Sequence, residues 1–170
     1  CELGMTIINL GKNFFISLSL VLLIFLLDRI SKIYVINLSK NSFDIELFSS
    51  KFLNITLIWN EGIAFGLFSS SHEYWYNFLT IVIVLIAIVI LIMSIRENGA
   101  QRYFFLIVFG GALGNLYDRI FFKAVPDFLD LHVGNFHWFI FNIADIFITF
   151  GVIMLILWEA LPLNKNYEKK

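Results

Sequence analysis

Two aspartates, Asp127 and Asp145, stand beside long apolar runs. Asp127 falls in Val125-Pro126-Asp127-Phe128-Leu129-Asp130 and Asp145 in Phe141-Asn142-Ile143-Ala144-Asp145. A carboxylate in or near hydrocarbon costs about 2.5–3.5 kcal/mol on insertion scales, so such groups face a bundle interior or a wet cavity and mark function. Read alone, the pair fits a proton relay, a cation site or a hydrolytic dyad. The dyad is the best chemical fit. It needs only two carboxyls a few ångströms apart, whose repulsion keeps one of them protonated at neutral pH.

Metal is the weakest of the three. His72, His132 and His137 lack an i, i+4 ligand spacing, and the single cysteine, Cys1, excludes a cysteine-based zinc site and an intramolecular disulfide. His132 and His137 read as surface or interface residues. No metal or other cofactor is expected. A Gly-x-Ser-x-Gly elbow is missing, and no serine with a spaced lysine or histidine base stands out.

Other polar groups surround these aspartates in sequence. Asp28 and Lys32, four apart, share a helix face and can pair. They either anchor a helix end at the membrane surface or shape a site, with Lys32 snorkelling toward headgroups. Asn115, Asp118 and Arg119 form one polar stripe below the small residues Gly110-Gly111 and Gly114, which permit close helix contact in a bilayer. Asp118 reads as the carboxylate partner that makes Arg119 tolerable, in a buried structural network. Asn142 and Asp145 are three apart on one helix face, where Asn142 can hydrogen-bond a substrate backbone or orient a carboxylate. Pro126 favours an extended approach to Asp127.

The elements that must carry these residues are membrane spans. Hydrophobic residues make up 59% of the chain and charged residues 15%, with a mean hydropathy of +0.84. Soluble domains average about 45–50% apolar and about 25% charged, so this composition is that of an integral membrane protein. A net charge of −1 and the lack of a basic arm argue against a nucleic-acid partner.

Hydropathy places four spans within the 170 residues, at about 13–36, 78–95, 103–122 and 139–161, with an outer loop over 37–77. The second is the cleanest, and polar residues interrupt the others. The expected fold is all-α, four transmembrane helices with a small extracytoplasmic β element and loop cap, forming one membrane-embedded domain over 1–170. The β element rests on Phe52–Trp59, of strand composition, followed by the turn Asn60-Glu61-Gly62. Met5 reads as a natural start and Cys1–Gly4 as an added remnant. The first apolar run, followed by Asp28-Arg29 with no small-residue cleavage site, reads as a retained anchor.

Positive charge sets the orientation. Lys12, Arg96, Arg102, Lys165, Lys169 and Lys170 flank one side, while Lys40, Lys51 and Lys123 sit opposite among Asp44, Glu46, Glu61, Glu73, Asp127 and Asp130. Both termini are therefore expected in the cytoplasm, and the motif-bearing helix ends on the outer side. Tyr74-Trp75-Tyr76 sits where an interfacial aromatic belt belongs. It follows a break at Ser69-Ser70-Ser71-His72.

Taken in order, these motifs resemble the lipoprotein signal peptidase family, the type II signal peptidases of bacteria. The resemblance is carried by Asp28-Arg29-Ile30-Ser31-Lys32, Asn60-Glu61-Gly62-Ile63-Ala64-Phe65-Gly66, Gly110-Gly111-Ala112-Leu113-Gly114-Asn115-Leu116-Tyr117-Asp118-Arg119, Val125–Asp130 and Phe141–Asp145. One departure is Phe139, where relatives often have proline, and it bears on the entry to the fourth helix. The resemblance implies an intramembrane aspartic endopeptidase with Asp127 and Asp145 as its catalytic pair. It implies a substrate that is a diacylglyceryl-modified prolipoprotein, cut just before the lipidated cysteine, and an enzyme of the bacterial inner membrane working as a monomer among lipids. Asp28, Lys32, Asn60, Gly62, Asn115, Asp118, Arg119 and Asn142 then support the site or bind substrate. Two other classes remain open on the residues alone. A small proton-coupled transporter predicts a wet path to the cytoplasmic side. A non-catalytic lipoprotein scaffold predicts that either aspartate is dispensable.

Overall fold

The computed structural model describes residues 2–40, 46–62 and 73–161. The segment Ile63–Gly66, the break at Ser69–His72 and the charges Asp44, Lys165, Lys169 and Lys170 lie outside the described residues. In chain order the elements are α1 (Glu2–Lys40), β1 (Glu46–Ser49), β2 (Leu53–Asn60), α2 (Glu73–Arg96), α3 (Gly99–Phe122), β3 (Val125–Val133), β4 (Phe136–Phe141) and α4 (Ile143–Ala160).

Among the described residues, four helices are long and apolar enough to cross a membrane, over Asn13–Lys40, Tyr74–Arg96, Gly99–Phe122 and Ile143–Ala160. In α2 the run from Phe78 to Ile95 is rich in Ile and Val, residues that favour strands in water. In lipid an unpaired backbone amide is too costly, and a helix satisfies every one within its own segment. Leu22, Leu26, Ile81, Leu85, Val89, Ile153 and Ile156 are exposed, as lipid-facing side chains are.

Helix α3 is the hub, packing against α1, α2 and α4. Its glycines make that possible. A Cβ on Gly114 would sit 2.5 Å from Asp28 Oδ2, and one on Gly111 would sit 2.6 Å from the Ala144 carbonyl oxygen. The small-residue block thus sets the approach of α1 on one side and α4 on the other. Lys123, in the left-handed region at φ 59°, ends α3 and turns the chain into β3.

The strands form one antiparallel sheet in the order β1-β2-β3-β4. Strand β2 realises the stretch read as a strand in the outer loop. The second half of the sheet departs from expectation. Residues 123–138 were expected as a short loop and the fourth span from Phe139. Instead Val125–Phe141 makes a hairpin closed at Gly134-Asn135, with Gly134 at φ +60°, and the helix starts at Ile143. The aromatic run Phe136–Phe141 is as apolar as a span, but its partner strand claims it. Phe139, expected to open the fourth helix, lies inside β4. Pro126 is tolerated because β4 pairs with β3 only from Leu129 onward, leaving Pro126 on an edge.

Candidate active site

The carboxylate of Asp145 is positioned by the way α4 begins. Asn142 is the N-cap in extended conformation. Its Oδ1 accepts from the Asp145 amide at 3.2 Å, and Asp145 Oδ2 accepts from the Asn142 amide at 3.1 Å. This reciprocal capping box satisfies two orphan donors of the first turn and fixes the Asp145 rotamer. The other oxygen, Oδ1, accepts from Asn115 Nδ2 at 2.8 Å.

Asp127 arrives from the sheet. It pairs with Ile58 in the β2–β3 register and is buried. Asn142 Nδ2 donates to its Oδ1 at 2.6 Å, and Asn60 Nδ2 donates to its Oδ2 at 2.9 Å. Burial lifts the Asp127 carboxyl to about 6, against the pull of those two amide donors. The negative charge of Asp145 adds to the rise. One asparagine, Asn142, therefore touches both aspartates.

Behind Asp145 lies a buried charge network. Lys32 Nζ donates to Asn115 Oδ1 at 2.8 Å, to Asp118 Oδ2 at 2.7 Å and to Asp28 at about the same distance. Arg29 grips Asp118 with both terminal nitrogens, at 2.5 and 2.6 Å, and Asp28 at 2.8 Å. Two cations and two carboxylates balance, which is what makes them tolerable inside a bundle. Asp28 Oδ1 also accepts from the Ala144 amide at 3.1 Å, so the network holds the first turn of α4 as well. Arg29 lies over the Tyr117 ring, 4.8 Å from its centroid.

Both aspartates open into one cleft of about 540 Å³ between α2 and α4, floored by α3. Its polar end holds Asn60, Asn115, Arg119, Asp127, Asn142 and Asp145, and its apolar wall runs along Leu79, Val82, Ile83, Ile86 and Ile148. The cleft therefore sets an apolar wall directly beside two carboxyls. The Signal peptidase (SPase) II family profile matches residues 20–161.

The chain belongs to the signal peptidase II family. It is 50% identical over 163 residues to the lipoprotein signal peptidase of Pelagibacter ubique (strain HTCC1062), covering 96% of this chain and 98% of that one. With the lipoprotein signal peptidase of Anaplasma phagocytophilum (strain HZ) it shares 44% identity over 137 residues, 78% of this chain and 84% of that one. The fold matches a bacterial membrane enzyme solved by the in meso method at 2.3 Å, with a TM-score of 0.66 at 30% identity over 91% of each chain. A second in meso structure, at 1.9 Å, gives 0.64 at 29% identity over 86% of this chain and 92% of that one. With four membrane-capable helices, this signal peptidase II is a multi-pass membrane protein and a protease of lipoprotein processing.

All ten residues singled out in the sequence come together at one end of the bundle, but several take different partners. Lys32 is wholly buried and bonded, so it does not snorkel. Asp118 pairs with Arg29 and Lys32, not with Arg119. Arg119, adjacent on α3, points the other way. Its Nη2 donates to the Gly62 carbonyl, and its guanidinium lies 5.7 Å from the Tyr76 ring centroid. Gly62 in turn donates its amide to Asn60 Oδ1 at 2.9 Å. Asn142 is a cap and not a helical residue. Arg29 was missed as a network member, although a cation inside the first apolar run was a signal that it needed a carboxylate.

Proposed function

We propose that Asp127 and Asp145 are the catalytic dyad with which this signal peptidase II cuts prolipoproteins. The observation that supports it most is the shared Asn142, whose side-chain amide donates to the Asp127 carboxyl and whose backbone amide donates to the Asp145 carboxyl at one wall of the cleft. The dyad holds one proton at work, carried by Asp127, whose pKa burial raises to about 6. Asp145, at the N-terminus of α4 with Lys32 behind Asn115, is the ionised base; the helix dipole favours a negative charge there.

Asp145 takes a proton from a water whose oxygen attacks the scissile carbonyl carbon. Asp127 donates its hydrogen to the carbonyl oxygen as the tetrahedral centre forms. Collapse breaks the C–N bond, the leaving amine takes the proton held by Asp145, and Asp127 recovers its own. Acid–base transfer contributes roughly 10²–10⁴-fold. Positioning and the exclusion of bulk water supply the rest.

The substrate is a prolipoprotein bearing a diacylglyceryl group on its lipobox cysteine. Its signal helix lies along Leu79, Val82, Ile83 and Ile86, its acyl chains stay in lipid, and the cut falls just before the cysteine. Arg119, aimed into the cleft beside the dyad, offers its guanidinium to a substrate carbonyl. The enzyme works as a monomer in the inner membrane, termini in the cytoplasm and the sheet on the outer leaflet. The α2–α3 turn with Arg96 and Arg102 lies at the cytoplasmic end, opposite Asp127 and Asp130.

Purified enzyme given matched prolipoproteins with and without the diacylglyceryl group tests the substrate assignment. Mass spectrometry of the products should show cleavage of the lipidated form alone, with the modified cysteine as the new N-terminus. Equal cleavage of the unmodified form, or a cut elsewhere, contradicts it.

A further inference from the structure

The hairpin β3–β4 gathers a group of side chains that the dyad does not use. Asp130 is buried in β3, His132 follows two residues on, and His137 faces His132 across the strand pair. His137 Nδ1 lies 2.8 and 3.0 Å from the two oxygens of Asp130. The two imidazoles stack, with centroids 5.2 Å apart and planes at 23°. One potential ligand atom from each of the three residues lies within 4.8 Å of the other two.

A second observation sets this apart from a simple ion pair. His132 Nδ1 is shielded from solvent and has no hydrogen-bond partner among the described residues. An unpaired buried ring nitrogen is costly, and a metal bond would satisfy it. We propose that Asp130, His132 and His137 form a binding site for a divalent transition metal, zinc by preference, that staples the hairpin.

The donor set decides the class of ion. Two imidazoles and a carboxylate suit zinc and its borderline neighbours, whereas calcium and magnesium want an all-oxygen shell. Zinc bonds to nitrogen at 2.0–2.1 Å, which puts tetrahedral ligand atoms about 3.3 Å apart. Rotation of the exposed His137 closes the difference from the arrangement seen here. Three protein ligands leave a fourth position for water. Sequence spacing hid the site because the histidines lie five apart and meet only through the hairpin.

The placement gives the ion a consequence. Asp127 lies three residues before Asp130 on β3, and Asn142 five residues after His137 at the end of β4. A staple between them holds the strand that carries Asp127 against the strand that delivers Asn142. Metal occupancy thus sets the rigidity of the dyad's sheet side without entering its chemistry.

The test is a titration of the purified full chain, in detergent micelles, with zinc chloride by calorimetry and with cobalt(II) by visible absorption. The expected result is one saturable site, a four-coordinate cobalt spectrum that zinc displaces, and affinity lowered at least about tenfold in His132→Ala and in His137→Ala. His72→Ala should bind as the unmodified chain does. His137 is half exposed but pairs with the buried Asp130, so thermal unfolding of each variant without metal checks that the fold survives its loss, and His132→Ala, which leaves that pair in place, supplies the second reading. No saturable binding, or affinity unchanged in His137→Ala, overturns the proposal.

Discussion

Asn142 donates to Asp127 at 2.6 Å while its own carbonyl oxygen caps the helix that carries Asp145. One amide thus performs two separable tasks. Asn142→Ala should lose about 1 kcal/mol of stability with the cap and, with the link to Asp127, most of its cleavage activity. Asn142→Ser keeps an N-cap oxygen but is too short to reach Asp127. It should unfold near the unmodified temperature and still cleave poorly. Thermal unfolding and cleavage rates measured on both variants separate the tasks; a fully active Ser variant would deny the link any role.

The pH dependence carries a sign. Asp127 at about 6 is protonated below that pH and ionised above it, so kcat/KM should fall as pH rises through about 6. The Asn60 amide stabilises the ionised form of Asp127, and removing it raises the pKa further. Asn60→Ala should therefore move the alkaline limb to higher pH. A limb that stays put or moves lower contradicts the assigned proton.

Asp118 faces two cations, Arg29 and Lys32, inside the bundle. Asp118→Ala leaves both with Asp28 as their one remaining carboxylate among the described residues, and breaking such buried pairs costs about 3–5 kcal/mol. A large fall in unfolding temperature in detergent is expected, with loss of activity as the α4 start loosens. Stability within about 0.5 kcal/mol of the unmodified protein, the range of ordinary surface substitutions, would show the network to be dispensable.

Gly114→Ala puts a methyl against the Asp28 carboxylate, a contact that neither the α3 backbone nor a paired carboxylate yields easily. Overpacking of this kind costs about 1–3 kcal/mol. Gly134→Ala meets open space but sits at φ +60°, so its smaller cost is backbone strain alone. Thermal unfolding should rank Gly114→Ala as the more damaging and the only one of the two to lower activity.

Much of this was legible in the sequence. Four spans follow from hydropathy, because lipid leaves helices as the only open-chain solution. The polar residues could be singled out because each is expensive beside hydrocarbon. Their partners could not be read, since pairing depends on which way α3 turns each side chain. Asp118 and Arg119 are neighbours in sequence yet face α1 and Gly62 respectively. The hairpin was hidden for a different reason. Phe136–Phe141 has the composition of a span, and only the Gly134-Asn135 turn marked it as a strand.

Asp127 and Asp145 are proposed to act together on a scissile peptide. Gel-shift cleavage of a diacylglyceryl-modified prolipoprotein tests it, using the unmodified enzyme, Asp127→Asn and Asp145→Asn, with substrate binding measured in parallel. Each Asn variant should bind substrate and lose at least about 10²-fold in cleavage rate. Cleavage by either variant at near the unmodified rate would contradict it.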